Sequence, residues 1–248
     1  MIEVKHISKS FGEKEVLFDI SHVFNRGMNN LIIGASGSGK SVLTKCIVGL
    51  HEPTSGEVFY DGRDYTRMNF KDRKEIRSEL GMLFQGTALF DSLNVEENVS
   101  FPLRMHSNMT AAEMRERVNF CLEHVSLSGV NHLYPSELSG GMQKRVGIAR
   151  AIALNPKYLF CDEPNSGLDP QTSIVIDNLI SNLTKEFDIT TITVTHDMNS
   201  VMEVGDNILF IYQGRKWWSG DKESILRSDN KELNDFVYAS PIMKKVKG

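Results

Sequence analysis

Cysteine is scarce in this 248-residue sequence, and the few cysteines form no metal or redox motif. Cys46, Cys121 and Cys161 stand in apolar surroundings and never approach the C-x-x-C spacing of zinc or redox sites. We therefore expect three reduced thiols inside the core rather than ligands or nucleophiles.

Long apolar runs are also missing. No window reaches the roughly 18 apolar residues that a membrane-spanning helix needs. The opening residues, Met1 to His6, contain no apolar signal-peptide core. We expect a cytosolic protein that reaches a membrane only through a partner.

An excess of positive charge is the third absence. Lysine and arginine number 28 against 32 acidic residues, which gives a formal net charge of −4. This balance lacks the basic field that nucleic-acid binders usually carry, so we expect no nucleic-acid partner. Hydrophobic residues at 40% and charged residues at 24% are typical of a globular protein.

One octapeptide carries most of the chemical information. Residues 34–41 read Gly-Ala-Ser-Gly-Ser-Gly-Lys-Ser, follow the apolar run Leu31–Ile33, and precede a helical pattern. Such a loop turns backbone N–H groups around a β-phosphate, while Lys40 bridges the β and γ oxygens and Ser41 offers its hydroxyl to Mg²⁺. The sequence therefore predicts a nucleoside triphosphate site formed by Gly34, Ala35, Ser36, Gly37, Ser38, Gly39, Lys40 and Ser41.

The hydrophobic patterns around this loop predict an α/β fold. Ile2 and Val4, with His6 as a further candidate, alternate as in a half-buried strand, and a second apolar run covers 16–24. Asp61-Gly62 predicts a hairpin turn. The runs 158–161 and 189–194 are typical of buried parallel strands, and a last hairpin is predicted at 208–218.

Between about 87 and 155 the pattern becomes helical, with Thr110 and Glu113 as a capping box. We predict a phosphate-loop NTPase core with a parallel sheet, an N-terminal antiparallel β subdomain and an inserted α-helical subdomain. The boundaries place core and β subdomain at 1–86 and 156–220, the helical subdomain at 87–155 and a C-terminal tail at 221–248, all within one domain.

Two acids follow the buried strand 158–161. Open α/β sheets bind ligands at the carboxyl ends of their strands, so Asp162 and Glu163 should face the phosphates. Asp162 suits a Mg²⁺ role, and Glu163 can accept a proton from the attacking water or orient it. His196 follows the next strand and could donate to the γ-phosphate. An acidic pair and a histidine at strand ends can also be purely structural.

A second helix start has the features of an anion site. Ser139 stands at a cap position before Gly140 and Gly141, whose small size exposes backbone N–H groups. An ordinary serine-capped helix is the alternative.

The order of these motifs resembles the nucleotide-binding subunit of an ABC transporter. The resemblance runs from Phe11 to about Gly220 and adds Gln85, which follows the strand-like 81–84, and the sequence Ser-Gly-Leu-Asp at 166–169. It implies that Phe11, where relatives more often have tyrosine, stacks on adenine. It also implies that Gln85 ligates Mg²⁺ or its water and touches the membrane partner.

The same resemblance implies a site shared by two chains. The segment Ser139, Gly140, Gly141 and Met142 would act in trans on ATP bound to a second subunit. Asp169 would shape the subunit contact, and His196 would hold the γ-phosphate. The implied protein is a homodimeric ATPase whose isolated monomer hydrolyses ATP poorly.

Two segments are similar to a narrower group. Met142 replaces the glutamine of most relatives, and the text of 84–104 is similar to the ATPases of MCE-associated, Mla-type phospholipid transporters of bacterial envelopes. That resemblance implies integral membrane permease subunits, an MCE-type lipid-binding protein and a place on the cytoplasmic face of the inner membrane. An importer of polar small molecules such as amino acids, a soluble ABC ATPase acting on DNA or the ribosome, and a phosphoryl-transfer kinase are the alternatives.

The tail combines an apolar patch, residues 236–238, with Lys244, Lys245 and Lys247. A small accessory protein or a dimer contact at this tail is one interpretation, and anionic lipid headgroups could meet the lysines. A loosely docked terminus is the alternative.

Overall fold

The computed structural model describes residues 1–239. Ten strands and eight helices follow one another in these residues: β1 (Ile2–Phe11), β2 (Lys14–Phe24), β3 (Asn29–Ile33), α1 (Lys40–Ile47), β4 (Ser55–Tyr60), β5 (Arg63–Asp64), α2 (Phe70–Ser78), β6 (Leu80–Leu83), α3 (Val95–His106), α4 (Ala111–His124), α5 (Gly140–Ile152), β7 (Tyr158–Asp162), α6 (Pro170–Glu186), β8 (Thr190–Thr195), α7 (Met198–Val204), β9 (Asn207–Tyr212), β10 (Arg215–Gly220) and α8 (Lys231–Val237). Short 3₁₀ turns lie at Pro135–Glu137 and Ile225–Arg227.

The strands form two sheets. An antiparallel sheet has the order β2-β1-β4-β5, and a six-stranded sheet has the order β10-β9-β3-β8-β7-β6. In the larger sheet β6, β7, β8, β3 and β9 pair in parallel, and only β10 is antiparallel. This arrangement confirms the predicted α/β class with its parallel core and N-terminal antiparallel sheet.

Alternate residues of the parallel sheet face two different layers, as the period of two in a strand requires. Leu159 and Cys161 of β7 pack in the apolar cluster that also contains residues of α3, α4, α5 and α6. Tyr158 and Phe160 pack in a second cluster with α1 and the antiparallel sheet. The parallel sheet is therefore buried on both faces, which explains its nearly continuous apolar sequence.

The predicted alternation in β1 is wrong at His6. His6 has a φ of 54° and an exposed side chain, and the register with β2 shifts between Val4 and Ile7. The irregularity moves the inward position one residue along, so Ile7 is fully buried instead. Period-two counting from Ile2 cannot anticipate such a shift.

Helix caps explain where the helical layer begins. Thr110 and Glu113 form the predicted capping box at the start of α4. A second capping box, formed by Asn94 and Glu97, starts α3 and was not predicted. Helices α2 and α7 were also not predicted, because both are short and α2 buries only Ile76.

The three cysteines are buried, as expected. Burial raises the pKa of the Cys161 thiol to about 12 and the pKa values of Cys46 and Cys121 to about 11. Among residues 1–239, the structure contains no helix with the length and apolar character to cross a membrane.

The apolar residues of the tail serve the fold. Helix α8 packs beside β9, with the Phe236 ring 5.5 Å from the Phe210 ring and Val237 fully buried. Tyr238 is also buried. Residues 236–238 therefore pack on the fold, with Phe236 only partly buried. A contact with an accessory protein or a second subunit at this tail stays a prediction, and Lys244, Lys245 and Lys247 lie outside the described residues.

A buried asparagine connects the two sheets. Asn30 of β3 is fully buried, and its Oδ1 accepts from the Asn25 N–H at 2.7 Å, just after β2, and from Asn207 Nδ2 at 2.8 Å. Its Nδ2 donates to the carbonyl oxygens of Asn25 and Thr191, both at 2.9 Å. One side chain thus satisfies polar groups from three places in the chain.

Replacement of this side chain should weaken the whole domain. We predict that Asn30→Ala lowers the free energy of unfolding by about 3 kcal/mol, because several buried groups lose partners that contribute about 1 kcal/mol each. Urea titration measures the change. Asn182→Ala, on the exposed face of α6, is the control and should stay within about 0.5 kcal/mol. Equal stability of the two variants would contradict this account.

Candidate functional site

The glycine-rich loop between β3 and α1 requires glycine at two positions. Gly34 has a φ of 147°, and a Cβ there would lie 2.3 Å from the Ile211 carbonyl oxygen. Gly39 has a φ of 107° and precedes the first residue of α1, with no side chain to cap that helix. The start of α1 therefore keeps backbone N–H groups available beside the loop.

Lys40 lies inside this loop. Its ammonium donates to the carbonyl oxygens of Gly34 at 2.7 Å and Ala35 at 2.9 Å. Burial lowers the pKa of Lys40, and the nearby carboxylates of Glu163 and Asp162 partly offset that effect. The structure therefore holds a cation in the position that the sequence assigned to phosphate contact.

The two predicted acids lie across from Lys40. Asp162 ends β7, and burial together with the neighbouring Glu163 raises the pKa of its carboxyl. Glu163 has a φ of 48°, and its N–H donates to the Val194 carbonyl of β8 at 2.9 Å. The same residue bonds His196, whose Nδ1 lies 2.8 Å from the Glu163 Oε1. A carboxylate and an imidazole thus meet at the carboxyl edge of the sheet.

Strand register explains why these residues converge. Ile33 of β3 pairs with Thr195 of β8, and Asp162 of β7 pairs with Val194. The loop, the acidic pair and the histidine each begin within about two residues of these pairs, so parallel pairing delivers them to one edge.

A cavity of about 1060 Å³ opens at this edge. We call it the main cavity. Most of the predicted residues line it: Ala35, Ser36, Gly37, Gly39, Lys40, Ser41, Gln85, Asp162, Glu163 and His196. Gly34 and Ser38 belong to the loop, where they shape the backbone without lining the cavity.

Phe11 does not line the main cavity. Its ring is 45% exposed, meets the His51 ring edge-on at 5.3 Å and has the Lys9 ammonium 4.9 Å from its centroid. Val16 of β2 lines the cavity instead. The structure therefore shows the Phe11 ring outside the lining of the main cavity.

A second cavity, of about 380 Å³, brings together two other predicted segments. Ser139 caps α5, and its Oγ accepts from the Met142 N–H at 3.3 Å. Asp169 caps α6 and accepts from the N–H groups of Gln171 and Thr172, both at 3.0 Å. Ser139, Gly140, Gly141, Met142 and Asp169 all line this cavity. Gly167 lines both cavities and marks their common border.

Sequence reasoning missed Asn165. It lines the main cavity, its Nδ2 donates to Ser200 Oγ at 3.0 Å, and its Oδ1 is buried without a hydrogen-bond partner in the described part of the chain. An unpaired buried acceptor beside a cavity is a place for a bound ligand or water to donate. Its place between the acidic pair and Asp169 was the available signal.

The residues predicted for Mg²⁺ suit that ion only with a phosphate partner. Ser41, Gln85 and Asp162 line one cavity, yet residues 1–239 contain no group of three His, Cys, Asp or Glu side chains able to hold a metal alone. Mg²⁺ is usually held by one or two carboxylates together with substrate phosphates and waters. The donor set fits Mg²⁺ bound jointly with a nucleotide.

Comparison with known proteins bears directly on this site. Residues 17–166 match the protein family described as ABC transporter. That range includes the phosphate loop, Gln85, the Ser139 segment and the acidic pair.

Three curated relatives differ in their stated cargo. The chain is 39% identical to the "Probable ribonucleotide transport ATP-binding protein mkl" of Mycobacterium leprae over 95% of this chain and 68% of that protein. It is 39% identical to the methionine import protein MetN of Desulfitobacterium hafniense, over 91% and 67%. It is 37% identical to the intermembrane phospholipid transport protein MlaF of Haemophilus influenzae, over 96% and 90%. The chain therefore spans only about two thirds of the first two proteins.

Solved structures agree with the fold. A dimeric structure of a bacterial ABC transporter cassette has a TM-score of 0.81 and 33% identity, covering 90% of this chain and 99% of that one. A post-hydrolysis state of the same cassette, bound to ADP and Pi, has a TM-score of 0.79 at the same identity and coverage.

Loss of the Lys40 ammonium should abolish tight nucleotide binding. We predict that Lys40→Met weakens ATP binding by about 100-fold, since a buried charge-assisted contact to phosphate is lost. Titration with a fluorescent ATP analogue measures the affinity. Lys185→Met, an exposed lysine near the end of α6, should bind as the unaltered chain does. Unchanged affinity in Lys40→Met would remove the loop from the proposed site.

Proposed function

The chain belongs to the ABC transporter family and is an ATPase subunit of that family, and on this premise we propose that it drives phospholipid movement between the membranes of a bacterial envelope. The observation that carries the ATPase assignment is the main cavity, where Lys40 and the acidic pair meet at one sheet edge. The phospholipid assignment rests on narrower similarities, given below.

Each residue of the main cavity has a distinct proposed task. Lys40 and the loop N–H groups bind the β and γ phosphates. Glu163 orients the attacking water or accepts its proton, and His196, bonded to Glu163 at 2.8 Å, holds the γ-phosphate. Mg²⁺, held by Ser41, Gln85 and Asp162, would neutralise phosphate charge when nucleotide is bound. Phe11 would stack on adenine, and this role needs its exposed ring to face the bound base.

Two chains are proposed to complete each site. The first residues of α5 line the second cavity and not the main cavity, which the phosphate loop lines. A second subunit in the opposite orientation would bring its own phosphate loop to them, with Asp169 at the contact. This homodimer agrees with the dimeric state of the similar bacterial cassette. Binding energy would close the dimer, and hydrolysis would reopen it.

A surface near Gln85 suits a permease. Four exposed aromatic or methionine side chains lie on the segment that follows β6 and on α3: Phe84, Phe90, Phe101 and Met105. The rings of Phe90 and Phe101 are 4.7 Å apart. Exposed apolar residues that cluster in this way usually mark a protein contact. We assign this surface to an integral membrane permease, which would hold the chain peripherally at the cytoplasmic face of the inner membrane.

The phospholipid assignment rests on two features of the chain. Met142 and residues 84–104 are similar to Mla-type ATPases, and the chain aligns over 96% of its length with MlaF of Haemophilus influenzae. Residues 84–104 carry the proposed permease surface. A similarity to Mla-type ATPases in this segment therefore bears on which permease the chain binds, and not on the ATPase chemistry that the relatives share. The proposed assembly therefore includes an MCE-type lipid-binding protein.

Amino-acid import is the second candidate. The 39% identity to MetN of Desulfitobacterium hafniense slightly exceeds the identity to MlaF. Both candidates use the same ATPase site, so only partners and cargo separate them. An accessory protein at the C-terminal tail stays a prediction that the described part of the tail does not support.

Co-purification separates the candidates. We predict that the tagged chain, extracted from its native membranes in mild detergent, carries a permease, a membrane-anchored lipid-binding protein and phospholipid, all identified by mass spectrometry. A matched preparation of Phe101→Asp should lose the permease, because a charge on the proposed contact is costly to bury. Recovery with a soluble amino-acid-binding protein and no enriched lipid would contradict the phospholipid assignment.

A further inference from the structure

Helix α5 holds the segment after β6 by its backbone. The Lys144 ammonium donates to the Gln85 carbonyl oxygen at 2.6 Å. Two turns further on, Arg150 Nη2 donates to the Thr87 carbonyl at 2.6 Å and Nη1 to the Ala88 carbonyl at 2.7 Å. Two charged side chains of one helix thus donate three hydrogen bonds to carbonyls within four residues, and such bonds are stronger than neutral ones.

The segment that is held has an unusual backbone. Thr87 and Ala88 have φ values of 59° and 49°, in the left-handed region that residues with side chains seldom adopt. Two such residues in succession persist only where the surroundings enforce them. Close packing contributes, since a Cβ at Gly147 of α5 would lie 2.8 Å from Leu83 Cδ1 and 3.8 Å from Thr87 Cβ.

Lys144 is the member of this set nearest to the chemistry. Its side chain is only 4% exposed, and it does not line either of the two cavities described above. Burial lowers the pKa of Lys144, and the nearby Cys161, Asp162 and Glu163 partly offset that effect. A buried ammonium costs free energy unless hydrogen bonds and opposite charges compensate for the lost water.

We propose that Lys144 is a positioning residue that fixes the backbone of Gln85 to the helix whose first turn is the Ser139 segment. Gln85 lines the main cavity, while Ser139 lines the second cavity. The hydrogen bond from Lys144 to the Gln85 carbonyl, which we call the tie, therefore connects the two half-sites of one chain. Contact between the Ser139 segment and the phosphate loop of a second subunit would then determine the position of Gln85. This inference rests on the proposed role of Gln85 in hydrolysis.

Two variants test the tie on the full chain. Lys144→Met keeps an unbranched apolar stem and removes the donor, whereas Lys144→Arg keeps a cation. We expect Lys144→Met to lower kcat by about tenfold or more with ATP affinity within about twofold, because the residue does not touch the nucleotide cavity. Lys144→Arg should recover most of the loss. Lys185→Met is the matched control and should retain full turnover.

A second readout is independent of hydrolysis. Amide hydrogen exchange without nucleotide should rise about tenfold for residues 85–88 in Lys144→Met, while β7 and β8 stay protected. If Lys144→Met fails to fold, Lys144→Ala supplies the same comparison, because it also removes the donor. Wild-type exchange in both variants would overturn the tie, even if the chain proved to have no transport activity.

The double variant decides whether Lys144 acts through Gln85. In a Gln85→Ala background, Lys144→Met should lower kcat little further, because the group being positioned is already gone. Losses that simply multiply would show independent action and would overturn the proposal. A chain without any ATPase activity beside its permease would instead contradict the proposed function, and the exchange result would still report on the tie.

Discussion

The parallel pairing of β3, β7 and β8 is the constraint on which the rest of the structure depends. Ile33, Asp162 and Thr195 stand next to one another along the same edge because these strands run in one direction and in this register. The phosphate loop, the acidic pair and His196 are far apart in sequence, and the register alone assembles them. The helical layer on one face and the antiparallel sheet on the other exclude water from the strands but leave this edge open.

The site also depends on helix α5. The helix starts at the Ser139 segment, packs against Leu83 at Gly147, and binds the carbonyls of residues 85, 87 and 88. One rigid element therefore connects a surface suited to a second subunit with a segment that carries Gln85 and the exposed aromatic residues. Movement at one end of a helix reaches the other because its backbone hydrogen bonds resist bending. Such an element can join nucleotide binding to a permease without a flexible linker.

Sequence reasoning succeeded where chemistry depends on residue type and spacing. A few neighbouring residues are enough to identify the loop 34–41, the acids after β7 and the Thr110 cap. Sequence reasoning failed at His6, where the register shifts, and it did not foresee that Val237 and Tyr238 pack in one apolar cluster with β9. The hydrogen bond from Lys144 to a carbonyl some sixty residues away could not be predicted from the neighbouring sequence, because a lysine in a helix normally faces water. Asn165 lies between two recognised motifs and could have been found.

The central claim is that each catalytic site needs two copies of this chain. The most direct test measures molar mass by light scattering for Glu163→Gln, which should bind ATP but lose the group that orients water. We expect this variant to lose at least about 100-fold of its turnover and to form an ATP-dependent dimer of twice the monomer mass. Addition of Ser139→Arg should leave ATP binding intact and keep the chain monomeric. A Glu163→Gln chain that turns over ATP normally, or a dimer that survives Ser139→Arg, would contradict the shared site.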